Sequence, residues 1–142
     1  MTAVADARTT LYNALTAELV ESPWRVHRTS PAQLVAPTVY VDAVELAETE
    51  ENLAGLIVAT FPIIAVHDGT IRAQVDGLDD LLARVWTAAL GAHATPTTSR
   101  PIGLDVGGPN LRAHVVRVDV HLAAVTMCAP TLTNSLAGNG GA

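Results

Sequence analysis

The apolar run LIVATFPIIAV, Leu56 to Val66, constrains the fold of this chain more than any other stretch. It is rich in β-branched side chains, which suit a pleated strand. So apolar a run implies burial on both faces or near an interface. Pro62 lacks an N–H for the ladder, so a strand here needs a bulge at that point or an edge position. A strand of this kind must be covered by other layers, and 142 residues can supply one domain burying roughly 70% of its unfolded surface.

The covering elements are readable on either side. Leu11, Leu15 and Leu19 recur every four residues, with Ala14 on the same stripe, which predicts an amphipathic helix over about 7–21 that Ser22-Pro23 stops. After the apolar run, Ile71, Val75, Leu78, Leu82, Val85 or Trp86, and Ala89 fall on one stripe of a second helix, about 71–90. Asp68 or Thr70 is placed to cap its start and Gly91 its end. WRVHR and Val39 to Val44 read as short strands joined by the extended connector SPAQLVAP. In LRAHVVRVDVHLAAV, Val116, Val118, Val120 and Leu122 alternate with Arg117, Asp119 and His121, the clearest strand signal in the chain. ELAETEENLAG and GAHATPTTSRP read as loops, Ile102 to Leu104 as a strand, and GGPN as a hairpin turn. The expected class is α+β: a small mixed or antiparallel sheet packed by the long helix and the N-terminal one. Residues 1–128 form one domain, and the Gly- and Asn-rich residues 129–142 a flexible tail.

Composition removes several function classes. The net charge is −6 with eight arginines and no lysine, which disfavours a phosphate-neutralising surface. No apolar run approaches the roughly 20 residues that span a bilayer, and MTAVADARTT lacks the layout of a secretory signal, so the expectation is no membrane and a cytoplasmic site of assembly. The lone Cys128 has no disulfide or zinc-spaced partner.

The candidate chemistry reduces mostly to structure. His67-Asp68-Gly69 sits where a strand passes into a helix, and turn and cap geometry accounts for it. His114 and His121 are seven residues apart on one strand and face opposite ways, so they do not chelate together. Asp76, Asp79 and Asp80 lie on the helix face opposite the apolar stripe, where carboxylates are solvated. GLDVGGPN precedes a strand and lacks the glycine order of a nucleotide-binding turn, and no GxSxG occurs. No catalytic, cofactor or metal residue is expected. The mixed face Arg117, Asp119, His121 is placed to line a channel or meet a neighbour.

The order of these segments resembles the tail terminator proteins of long-tailed, siphovirus-type bacteriophages, especially those of actinobacteria. The segments that carry the resemblance are LYNALTAELVESPWRVHRTSP, APTVYVDAV, TFPIIAVHDG, AQVDGLDDLLARVWTAAL and RAHVVRVDVHL, over most of residues 9–123. The resemblance implies a non-enzymatic virion protein without cofactor. In that family a homohexameric ring caps the completed tail tube at the tail's head-proximal end and joins it to the head-closure or connector protein, with genomic DNA passing through unbound. Glu45, Glu48, Glu50 and Glu51, with Arg117, Asp119 and His121, are then the candidate surface for ring neighbours and partner proteins. The alternatives are another head–tail joining protein, such as a head-closure or tail-completion protein, and a small α/β enzyme or ligand-binding domain using His67, His114 or His121.

Overall fold

The structure, a computed structural model, describes residues 3–48, 56–67, 72–103 and 112–123. Its elements are α1 (Ala3–Glu18), β1 (Arg25–His27), β2 (Thr38–Val41), β3 (Glu45–Glu48), β4 (Leu56–His67), α2 (Arg72–Gly91), β5 (Thr95–Ile102) and β6 (Arg112–Ala123). The fold is α+β, as the sequence implies. One mixed six-stranded sheet runs β1-β2-β4-β6-β5, with β3 also paired to β4. Only β1 and β2 are parallel; every other pairing is antiparallel.

The apolar run is the centre of this sheet, paired to β6 along all twelve of its residues and to β2 and β3 in succession on its other side. Its odd positions Phe61, Ile63 and Ala65 are buried under the helices, and its even positions Ile64 and Val66 are buried on the opposite face with Tyr40, Ala113 and Val115. The expectation of burial on both faces therefore holds over 61–66, whereas Ile57, Val58 and Thr60 are only partly buried. The edge alternative for Pro62 does not, and the bulge lies in the neighbouring strand. Val41 pairs with Ile63 and Glu45 with Thr60, so Asp42, Ala43 and Val44 stand against Phe61 and Pro62, one residue in excess. The Asp42 N–H donates to the Pro62 carbonyl at 2.8 Å. The reciprocal bond of that pair would need the donor proline lacks, so the ladder is interrupted on the side where it has least to lose.

One face of the sheet carries both helices. Leu11, Leu15 and Leu19 are buried as the four-residue spacing predicts, although α1 begins at Ala3 and ends at Glu18, earlier than 7–21 at both ends. Arg8 fixes α1 to the sheet. Its guanidinium donates to the Val41 carbonyl at 2.7 Å and the Arg28 carbonyl at 3.2 Å, and lies 5.3 Å from the Phe61 ring centroid, a cation–π distance. Burial lowers its pKa, with Arg28 nearby adding to the effect and Asp42 opposing it. Arg28 returns the clamp to α1 through Thr9 Oγ1 and the Ala5 carbonyl. Arg84 of α2, ion-paired to Asp80, reaches the Glu18 carbonyl at the end of α1.

The phase of α2 differs from the expected stripe. Leu81, Val85, Ala88 and Ala89 are buried, Leu78 and Leu82 are only partly buried at the flank, and Trp86 is exposed. Asp79 and Asp80 are exposed as expected, while the side chain of Asp76 and the capping residues Asp68 and Thr70 lie outside the described residues. Gly91 is not the terminal cap. His93 N–H donates to the Leu90 carbonyl and Ala94 N–H to the Ala89 carbonyl, a Schellman closure whose left-handed residue is His93, at φ 61°.

Four further expectations are corrected or bounded. Glu45 to Glu48, read as loop, is strand β3, and GAHATPTTSRP contains most of strand β5. Both prolines of β5 are tolerated because Pro96 and Pro101 pair with β6 residues whose backbone groups point to β4, so their own nitrogens face the open edge. The second strand ends at Val41, three residues before Val44. The GGPN turn and the tail at 129–142 lie outside the described residues.

Two measurements check this packing. Leu81→Asp should abolish cooperative thermal unfolding, because an unpaired charge enters the core, while Leu82→Asp should cost less than half as much stability. His93→Gly should raise the melting temperature, by relief of about 1 kcal/mol of left-handed strain; an unchanged or lower value counts against the cap assignment.

Candidate functional site

The sheet face away from the helices has two halves. In one, the connector between β1 and β2 folds beneath the sheet. Leu34 packs on the cluster of Tyr40, Ile64, Val66, Ala113 and Val115, and Ser30 lies beside the Tyr40 hydroxyl. Burial raises the pKa of that hydroxyl, and Asp42 adds to the effect. The other half is polar and is built by β3, β4 and β6. The ladder sets Glu45, Thr60 and Asp119 in one row, with Arg117 opposite Pro62 and His121 opposite Val58.

Within this strip Thr60 Oγ1 donates to Asp119 Oδ1 at 2.8 Å, and Arg117 Nη1 donates to Glu45 Oε1 at 3.3 Å. Both ends of the ion pair meet solvent, so it contributes at most about 1 kcal/mol. Four of the expected surface residues, Glu45, Arg117, Asp119 and His121, thus share one face. Glu48 does not: it pairs with Ile57 and lies on the helix face. Glu50 and Glu51 lie outside the described residues. Thr60, which the sequence reading missed, is the neutral donor between two carboxylates. The two-residue period of β4 marks it as facing the same way as Val58 and Pro62.

The strip has the residue types of a hydroxyl–histidine–carboxylate relay in an order that does not run it. Such a relay needs the imidazole between hydroxyl and carboxylate. Here the hydroxyl donates directly to Asp119, and His121 makes no side-chain hydrogen bond among the described residues. What the strip presents is a pattern of fixed donors and acceptors on a rigid sheet, suited to another surface.

His114 and His121 do face opposite sides of β6, as the spacing predicts. His67 pairs with Arg112, two residues from His114, and both histidines lie on the helix face. The His114 ring is 2.9 Å from Ser99 Oγ. Burial lowers the His114 pKa from its ordinary 6.5, His67 lowers it further, and Asp79 opposes the shift. Among the described residues no group of three or more His, Cys, Asp or Glu side chains is arranged to hold a metal ion. No helix among them is long and apolar enough to cross a membrane.

A concavity of about 380 Å³ lies where the start of α1 meets the α2–β5 turn and the end of β6. Ala7, Leu11, Val120 and Leu122 supply apolar walls, and Asp6 and His93 are among its polar lining. Nothing in the local sequence signals it, because its three walls are brought together only by the closing of α1 against the sheet. Compared with known proteins, the chain matches no family and no curated sequence.

The lowered pKa of His114 gives a signed expectation. Its contribution is present above pH 6.5 and is lost as pH falls through the lower folded value. The melting temperature should therefore drop as the pH falls below 6.5, and His114→Gln should flatten that drop. An identical pH profile in the variant contradicts the burial argument.

Proposed function

We propose that this chain is a structural subunit of a bacteriophage tail: a terminator that closes the finished tube as a homohexameric ring and presents a surface to the head connector. The observation that carries the reading is the division of the sheet. Among the described residues, its helix face and the half of its other face under the β1–β2 connector are filled from within the chain, whereas the polar strip and the outer sides of β3 and β5 carry no covering element. A catalytic domain concentrates perturbed, convergent groups in a cleft. Here the polar residues of the strip are spread over three strands, and four of them are bonded in pairs, Thr60 to Asp119 and Arg117 to Glu45.

Two further points support the reading. The element order α1, β1, β2, β4, α2, β6 follows the segments on which the resemblance to tail terminators rests. The net charge of −6 suits a ring around passing DNA, since a basic lumen would hold the phosphates. The tail tube protein and the head-closure protein are the partners of this reading, and the virion tail its location. The chain has no catalytic role in it.

Purified particles decide the matter. Quantitative mass spectrometry should find about six copies of the chain per tail, as closed cyclic symmetry requires of a hexamer. Antibody labelling should place them at the head-proximal end of the tail. A single copy per particle, or labelling elsewhere, would falsify the terminator reading; labelling in the neck above the tube's end assigns the chain to another head–tail joining protein instead.

A further inference from the structure

We infer that copies of this chain join by adding β5 of one copy to the open edge of β3 of the next, antiparallel, with Ser99 opposite Leu46 and Arg100 opposite Glu45. The inference rests on the reading of the chain as a self-assembling subunit and specifies the surfaces and register that reading leaves open. Reading outward across the sheet, β3, β4, β6 and β5 follow one another. Among the described residues β3 is paired only to β4, and β5 only to β6. All four residues of β3 are exposed, as are Thr97 to Pro101 of β5. Leu46 is 49% exposed, an apolar side chain on an unpaired edge.

Direction comes first. β3 is antiparallel to β4, β4 to β6, and β6 to β5, so β5 runs opposite to β3. A second copy set beside the first, with its helices on the same side, therefore brings β5 to β3 as an antiparallel pair.

Register follows from the alternation of backbone groups. The Asp42 bond to the Pro62 carbonyl fixes the even residues of β4 as those that bond toward β2 and β3. Glu45 and Ala47, opposite Thr60 and Val58, then bond inward, and Leu46 and Glu48 bond outward. On the other edge the same counting makes Thr98 and Arg100 bond inward to β6, leaving Ser99 and Pro101 outward. A hydrogen-bonded pair between copies must match two outward residues. Setting Ser99 against Glu48 would place Pro101, which has no donor, against Leu46. Setting Ser99 against Leu46 moves Pro101 past the end of β3, beside Val44.

Charge selects the same register. Arg100 pairs with Val115 and Glu45 with Thr60, so both lie on the outer face and meet directly across the junction. Arg100 makes no ion pair among the described residues, and Glu45 holds only the solvent-exposed contact to Arg117. The contact joins two different edges, so it propagates from copy to copy and closes when the rotation per copy allows.

The test uses full-length protein carrying Cys128→Ser, so that no native thiol intervenes. In the inferred register Ala47 and Thr98 face each other as a non-hydrogen-bonded pair, with Cα atoms about 4.5 Å apart, within disulfide reach. Mild oxidation of the Ala47→Cys, Thr98→Cys double variant at high protein concentration should give a ladder of dimers, trimers and larger species on a non-reducing gel. Either single variant should give none. Adding Leu46→Pro, which removes an outward N–H and no bond among the described residues, should abolish the ladder. Arg100→Glu should reduce it about tenfold, because like charges then face across the junction. Cross-linking by Ala47→Cys alone would mean β3 meets β3, and by Thr98→Cys alone that β5 meets β5; either overturns the inference. The native mass of the unmodified chain separates the two levels. An oligomer without a ladder overturns these edges and leaves self-assembly standing, while a ladder from a chain found elsewhere than the tail end keeps the edges and removes the tail reading.

Discussion

The missing N–H of Pro62 organises much of this sheet. A strand with neighbours on both sides and burial on both faces must have its backbone groups paired, because an unpaired buried amide costs free energy comparable to a lost hydrogen bond. β4 has one position where that pairing is impossible, and the chain opposite it bulges there. The bulge changes parity. Carried through without it, the β2 register would set Glu45 against Ala59, on the helix face. With it, Glu45 stands against Thr60 and reaches Arg117. The polar strip on the outer face and the set of backbone groups left open on β3 both depend on that one-residue shift.

The helix face depends on a different constraint, the attachment of α1. Leu11, Leu15 and Leu19 bury an apolar stripe, but a stripe alone allows α1 to slide along the sheet. Arg8 and Arg28 remove that freedom by donating to named carbonyls on opposite sides of the contact, with Arg8 also lying over Phe61. These donors are charged and partly buried, a setting in which a hydrogen bond is worth more than a neutral one at the surface. The same attachment draws α1 against β6 and so creates the groove containing Asp6 and His93.

What could be read from the sequence follows from where each element gets its information. β4 and β6 announce themselves because their own side chains meet two different environments, giving an apolar run in one and strict alternation in the other. The leucine spacing of α1 is equally plain. In α2 two stripes overlap, one through Leu78 and Leu82 and one through Leu81, Val85 and Ala88; the sheet buries the second, and the small alanines that allow close approach carry little weight in a hydrophobic pattern. β3 and β5 were illegible for a physical reason. Their residues are almost wholly exposed, so burial leaves no period in them, and they are strands only because β4 and β6 offer partners. Of the candidate site, the row Arg117, Asp119 and His121 was legible from alternation alone. The arrival of Glu45 beside it, the loss of Glu48 to the other face and the part played by Thr60 required the register.

Those same exposed strands bear on how the molecule keeps from aggregating. An open edge is a template for any extended chain, and natural sheets limit it with short strands, charge and proline. β3 is four residues long and carries two glutamates, and β5 has prolines on its open side at both ends. Such features exclude indiscriminate pairing without excluding a partner that matches length, charge and the position of the prolines. An edge selective in this way is compatible with both a stable isolated subunit and an ordered assembly. The energy of each junction is small, since few hydrogen bonds and one solvent-exposed charge pair form, so an assembly built on it gains most from closure, where every subunit makes two junctions and none is left with a bare edge.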